Sequence, residues 1–241
     1  MPLQTYPAFL VRSPAFLKYA GTFHVIWREK VLGKRIPVPA PDVEWLGTDY
    51  GRFIIPKGIV GEDWIVYSGG VGEDISFDLE LIERFGCHVH AFDPTPRAVE
   101  FVEKAAGQEP RFHFTSVAIW KEADVLRFYA PQNPDHVSHS VVNLQATEDY
   151  FEAECDSLSG LMKRLGHDRI DLLKLNIEGA EYEVLECMIE RDPGVRVLCV
   201  AFDQPMPIWR THRMICQLAG ARFVLCAIDG WKMTFVREWN G

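Results

Sequence analysis

The chain has no Cys-x-x-Cys pair, no internal repeat and no low-complexity tract in its 241 residues. Its six cysteines (Cys87, Cys155, Cys187, Cys199, Cys216, Cys226) are scattered, several inside apolar runs such as Val197-Leu198-Cys199-Val200. That scatter argues against a metal knuckle or disulfide framework and reads as small core hydrophobes of a reduced, cytoplasmic protein. No leader with a charged start, apolar middle and cleavage site opens the chain. No apolar run reaches membrane-spanning length, so a soluble protein with no membrane partner is expected. Positive charge is also short. Against 34 acidic residues stand 25 Lys and Arg, a formal −9, and general nucleic-acid binding is not expected.

The shortage is uneven. Residues 1–60 hold eight basic and four acidic side chains, so the remainder is strongly acidic. A solvated face is the plain reading of the basic segment; an anionic partner is the other. Residues 1–61 look like an N-terminal extension. They contain the stiff run Pro37-Val38-Pro39-Ala40-Pro41 and end in a short β-hairpin, Val43–Leu46 with Gly51–Pro56. Their aromatics (Trp27, Trp45, Tyr50, Phe53) suit an acceptor lid, a packing flap or a dimer arm, which leaves a homo-oligomer open.

Residues 62–241 alternate strand and helix, the pattern of a parallel sheet covered by helices. The expected strands are Ile65–Tyr67, Cys87–Phe92, Arg111–Ile119, Val125–Tyr129, Asp171–Leu175, Val195–Phe202, Arg222–Ile228 and Trp231–Arg237. The helices are Asp74–Phe85 (stopped by Gly86), one capped by Thr95 with Pro96 first and Gly107 at its end, Ser157–Leu165 capped by Asp156, Glu181–Ile189, and Ile208–Leu218. Asp229-Gly230 signals a tight closing hairpin. The architecture is α/β: a Rossmann-like, seven-stranded, mostly parallel sheet with an antiparallel last strand.

The first turn of that sheet, Gly69-Gly70-Val71-Gly72, lacks the third glycine of a dinucleotide loop; Ile75 stands there. It also lacks a neutral helix start. Glu73 and Asp74 already occupy the positive end of the helix dipole and repel a pyrophosphate. Asp93 ends the second strand 21 residues beyond Gly72, the spacing at which a carboxylate reaches ribose hydroxyls. A cap for the turn before Pro94 is its structural alternative. A ligand with a ribose and an amino group but no phosphate fits, and S-adenosylmethionine (SAM) is such a ligand.

The pairing of Ala91-Phe92-Asp93-Pro94-Thr95-Pro96 with Asp171-Leu172-Leu173-Lys174-Leu175-Asn176-Ile177-Glu178-Gly179-Ala180-Glu181 resembles the FkbM family of class I SAM-dependent methyltransferases over about residues 62–205. The resemblance implies methylation of hydroxyls on sugars, polyketides and related small molecules. Asn176 stands where the family usually reads aspartate, and Ala201-Phe202-Asp203 where it often reads Glu-x-His. By position and resemblance the cofactor contacts are Tyr67, Ser68, Gly69, Gly70, Gly72, Asp74, Asp93, Pro94, Ser116, Ala118 and Asn176.

Methyl transfer to an alcohol calls for a base or a Lewis acid. Glu178 follows the fourth strand and Asp203 the fifth, so both are expected on one crevice as catalytic groups, and as ligands if Mg²⁺ assists. His136 and His139, in the polar loop Pro131–His139, are candidate acceptor-side residues. His88, His90 and His113 read as ordinary sheet residues, and Lys174 as the structural partner of a nearby carboxylate. The expected function is O-methylation of a small hydroxylated molecule, a sugar or glycoside favoured. A non-catalytic SAM-binding protein and a nicotinamide-dependent oxidoreductase are the alternatives.

Overall fold

The computed structural model describes residues 42–129, 147–203 and 207–237. Residues 1–41, including Trp27 and the proline-rich run, lie outside the described residues, as do His136 and His139. Strands β1 (Val43–Leu46) and β2 (Phe53–Pro56) pair antiparallel with Leu46 opposite Phe53, as the hairpin reading expects. β2 is buried along its whole length, and Leu46, Phe53 and Ile55 join the core on one face of the main sheet. Phe53 is a core residue, not a lid residue.

β3 (Ile65–Gly69) leads through the glycine turn to α1 (Ser76–Phe85). This helix starts later than the sequence suggests. The Asp74 carboxylate accepts the Ser76 amide at 2.8 Å and so caps the first turn from outside it. Gly86, at φ 73°, ends the helix in the left-handed conformation that side chains resist. β4 (His88–Phe92) and α2 (Pro96–Ala105) follow, with Thr95 Oγ1 accepting from the Ala98 amide.

The single strand expected over 111–119 is two. β5 (Phe112–Thr115) stops where the Val117 amide turns back onto the Thr115 carbonyl at 2.8 Å. β6 (Ala118–Trp120) then joins a separate three-stranded sheet, in the order β6-β8-β7, with β7 (Asp124–Tyr129) and β8 (Tyr150–Ser157). α3 (Leu158–Leu165) is capped by Ser157, whose Oγ accepts the Gly160 amide at 3.1 Å, and not by Asp156. The chain continues through β9 (Leu172–Leu175), α4 (Glu181–Arg191), β10 (Val197–Ala201), α5 (Ile208–Gly220), β11 (Phe223–Asp229) and β12 (Lys232–Arg237).

The main sheet has the order β11-β12-β10-β9-β3-β4-β5. β12 lies antiparallel between β10 and β11, while the β10-β9-β3-β4-β5 pairings are parallel. Side chains alternate between two cores: Tyr67, Leu173 and Leu198 enter one, Val66, Leu172 and Val197 the other. The order reverses at β3, with β4 on one side and β9 on the other. That reversal opens a crevice beyond the carboxyl ends of the strands. All six cysteines are free; Cys87, Cys155 and Cys199 are buried and Cys216 is exposed. No helix among the described residues is long and apolar enough to cross a membrane.

Candidate functional site

The glycine turn is stitched to the ends of the two strands that flank β3. Gly70 donates its amide to the Phe92 carbonyl at 3.0 Å, Asn176 donates to the Gly69 carbonyl at 3.0 Å, and Lys174 Nζ donates to the Gly70 carbonyl at 2.9 Å. Asp93 Oδ2 accepts the amides of Val71 and Gly72, both at 2.9 Å. Its other oxygen accepts the Thr95 amide at 2.9 Å and the Thr95 hydroxyl at 2.6 Å. These four donors match the four lone-pair positions of a carboxylate. A ribose hydroxyl reaching Asp93 would therefore share an oxygen already bound to backbone. The same contacts take up the amides that a phosphate-binding nest would aim at its ligand.

Beside this turn lies a cleft lined by Tyr50, Gly70, Val71, Gly72, Phe92, Asp93, Pro94, Thr95, Ala118, Ile119, Phe128, Asn176, Ile177, Glu178 and Ala180. Among the described residues its charged side chains are the carboxylates of Asp93 and Glu178. Of the expected cofactor contacts, Gly70, Gly72, Asp93, Pro94, Ala118 and Asn176 line it. Ser68 and Gly69 are buried in β3 beneath it, and Ser116 is not among the lining residues. Tyr67 is fully buried, with its hydroxyl 2.8 Å from His167 Nδ1. Asp74 is engaged by the Thr48 hydroxyl and the Ser76 amide instead. Tyr50 and Phe128 are contributions the sequence reading did not assign to the cofactor cleft; each arrives from outside the main sheet.

Glu178 lines the cleft with its backbone at φ 53°, followed by Gly179 at φ 98°. A non-glycine residue held left-handed is uncommon and concentrates at functional sites. Glu181 holds that turn. Fully buried at the start of α4, it accepts the amides of Ile177 (2.9 Å) and Gly179 (3.0 Å). Asp203, just after β10, hydrogen-bonds the Glu181 carboxyl and the Glu178 backbone and is not among the residues that line the cleft. Among the described residues, Asp203 Oδ2 is buried with no hydrogen-bond partner. Burial, then the charge of Glu178, pushes the Asp203 carboxyl up to about 7. Burial and Asp203 push Glu181 well above the usual carboxylate range. Two carboxyls in such contact share a proton. Among the described residues no three His, Cys, Asp or Glu side chains gather as a metal would need. The proton-sharing contact suits proton transfer rather than Mg²⁺, which wants ionised oxygens.

Two polar clusters lie off the cleft. Lys174 is buried beside its cross-strand neighbour Ser68 and acts on the fully buried Asp78, whose carboxyl burial pushes up. Neither Asp78 oxygen has a hydrogen-bond partner among the described residues. Elsewhere on the sheet, Tyr67, His90 and His113 share one register row, and His90 packs on His113 and His167 with ring centroids 4.6 and 4.4 Å apart. His88 Nδ1 lies 3.3 Å from His113 Nε2.

A seven-stranded order with an antiparallel insertion, a switch-point crevice and a glycine turn closed by an acidic strand end together define the Rossmann-like fold of class I SAM-dependent methyltransferases. The family model described as the methyltransferase FkbM domain matches residues 69–205, and the chain belongs to that family. Two curated relatives are each described as probable methyltransferase-like protein 24. The Homo sapiens protein is 28% identical over 142 residues, 58% of this chain and 32% of its own length. The Rattus norvegicus protein is 26% identical over 179 residues, 73% of this chain and 43% of its own. The chain thus spans less than half the length of either relative. Among solved structures, Aeropyrum pernix fibrillarin with bound S-adenosyl-L-methionine is similar at TM-score 0.44 and 9% identity, covering 76% of this chain and 70% of that one. The human methyltransferase 10 domain containing protein is similar at TM-score 0.45 and 11% identity, covering 73% of each.

Proposed function

We propose that the chain transfers a methyl group from SAM to a hydroxyl of a small molecule, a sugar or glycoside. The cleft's charge carries the reading. Among the described residues its lining holds Asp93 and Glu178 but no Lys, Arg or His, and the turn amides of Val71 and Gly72 are already bound to Asp93. A diphosphate cofactor finds neither a cation among these residues nor a free amide nest in the turn. A sulfonium nucleoside finds anionic surroundings, and its contacts in this reading are Asp93, Pro94, Ala118 and Asn176, which line the cleft.

The cofactor supplies an activated methyl group: the acceptor oxygen forms a bond to carbon as the carbon–sulfur bond breaks, leaving a neutral thioether. The protein's part is alignment and proton removal. Glu178, on the cleft wall, accepts the hydrogen bond of the acceptor hydroxyl. The proton leaves the acceptor for Glu178 as the new bond forms, and passes from there to Asp203, which hydrogen-bonds the Glu178 backbone and Glu181 and whose carboxyl is pushed up to about 7. No step runs through a metal.

Calorimetry with S-adenosylhomocysteine (SAH) and with NAD, then turnover of methyl-labelled SAM with pooled glycosides, tests the reading. SAH binding and a labelled glycoside are expected. NAD binding in place of SAH makes the chain a nicotinamide enzyme, and SAH binding with no labelled product from any hydroxylated acceptor makes it a non-catalytic binder.

A further inference from the structure

The six-residue loop between β1 and β2, Gly47 to Arg52, is held against the core from both flanks. On one side Gly47 donates its amide to Glu80 Oε2 at 2.7 Å, Thr48 donates its amide to Ser76 Oγ at 2.8 Å, and the Thr48 hydroxyl donates to Asp74. On the other, Lys232 Nζ donates to the carbonyls of Tyr50 (2.6 Å) and Arg52 (3.0 Å), and Arg52 Nε reaches Asp229 at 3.4 Å. A Cβ on Gly51 would lie 2.6 to 2.7 Å from the Asp74 carboxylate and would push it away from the Thr48 hydroxyl and the Ser76 amide. The loop is thus tied to the core through its backbone. What it presents is the Tyr50 ring, which lines the cleft with Glu178 yet remains 70% exposed.

Resting on the methyl-transfer reading above, we infer that Tyr50 is the platform on which an uncharged sugar ring stacks, with Glu178 accepting that ring's hydroxyl hydrogen bonds. A pyranose has an apolar C–H face for an aromatic ring and hydroxyl donors for an acceptor-only carboxylate. The phenol, restricted to two rotatable bonds, loses little entropy in the contact. It also remains a neutral hydroxyl, since burial and then the charges of Glu178 and Asp203 hold its pKa above the usual value. Asp74 and Glu73 add further negative field at the ring, the latter partly answered by Arg97 at 3.0 Å. A uronate or sugar phosphate is repelled by that arrangement. Trp45, by contrast, is covered on one face by the Arg52 guanidinium 4.4 Å from its ring centre.

Saturation-transfer NMR on the SAH complex tests this with methyl glucopyranoside as the neutral probe, glucuronate as the anion and glucosamine as the cation. The neutral glycoside and the cation are both expected to bind more tightly than glucuronate. Tyr50→Ala should weaken glycoside binding about tenfold, the scale of one stacked aromatic contact, and Tyr50→Phe by no more than about threefold. SAH affinity, measured separately, should stay within about threefold in both variants. Equal glycoside binding by wild type and Tyr50→Ala overturns the platform alone, as does tighter binding of glucuronate than of the neutral glycoside. If SAH binds the wild type but no sugar of any charge does, the platform and the sugar reading fall together.

Discussion

The carbonyl oxygen of Asn176 lies 1.8 Å from the point where a Cβ on residue 70 would sit. β9 and the glycine turn meet backbone to backbone there, with Gly70 also at φ 79°. Gly72 offers a contrast in the same turn: φ 55°, but open space around its missing Cβ. Gly72→Ala is therefore expected to cost only the left-handed strain, about 1–2 kcal/mol. Gly70→Ala must part the turn from Asn176 and should abolish SAH binding as well as lower the melting temperature. Thermal melts with and without SAH separate the two variants, and similar SAH binding by both contradicts the close approach.

Asp203 couples activity to pH. To take the acceptor's proton on from Glu178 it must be ionised, so the rate of methyl transfer should rise with pH through an apparent value near 7. Stability runs the other way. The folded carboxyl, pushed up to about 7, binds a proton more tightly than its unfolded counterpart, so folding is favoured at low pH and loses that contribution as pH rises from about 4 to 7. Asp203→Asn should remove that contribution, so that acidification across the window stabilises the variant less, or destabilises it more, than the wild type, and should reduce turnover roughly 10²- to 10⁴-fold. An unchanged rate removes Asp203 from the mechanism, whatever the melts show.

Lys174 has a carbonyl to hold and Asp78 has no hydrogen-bond partner among the described residues. Burial outweighs the pull of Lys174 on the Asp78 carboxyl, which is pushed up and so is easily replaced by a neutral group of the same shape. Lys174→Met strands the Gly70 carbonyl and removes the positive charge acting on Asp78. It is expected to cost about 1–3 kcal/mol more than Asp78→Asn in urea unfolding. The reverse order would mean that the two behave as a tight ion pair.

Much of this architecture is legible in the residues because its central strands are short apolar runs closed by glycine or by an Asp-Pro step. Leu172–Leu175 and Val197–Ala201 are buried along their whole lengths, and Gly86 and Gly230 stop their elements where expected. β8 was not legible: Tyr-Phe-Glu-Ala-Glu-Cys-Asp-Ser alternates in burial but carries acids on its open face, so it reads as loop. The break after Thr115 was hidden because Phe112 through Ile119 is rich in apolar residues on both sides of the turn. At the site, strand-end placement found Asp93, Asn176 and Glu178. Partners across the fold were invisible, since Glu181 resembles any acidic residue in the first turn of a helix and Tyr50 comes from an extension. Asp93 was located by its spacing, but nothing in the spacing reports that Val71, Gly72 and Thr95 bind it.

His90 opposes Asp203 in its effect on stability. Burial, then the charges that His167, His113 and His88 would carry, lowers the His90 imidazole to about 3. A base held neutral in the fold but free to protonate when unfolded favours unfolding as pH drops below about 6.5, the usual histidine value. Between pH 6.5 and about 4 the imidazole therefore removes stability on acidification while Asp203 adds it. His113 and His167 are lowered as well, also chiefly by burial, so the cluster acts in one direction. His90→Phe keeps an aromatic ring among Tyr67, His113 and His167 but binds no proton. Its unfolding free energy, followed by urea from pH 7.5 to 4.5, should decline less steeply than wild type by about one proton's worth of slope. In the Asp203→Asn background the wild-type acid decline should steepen, because the opposing carboxyl is gone. A His90→Phe curve parallel to wild type would show that the ring is already charged in the folded protein.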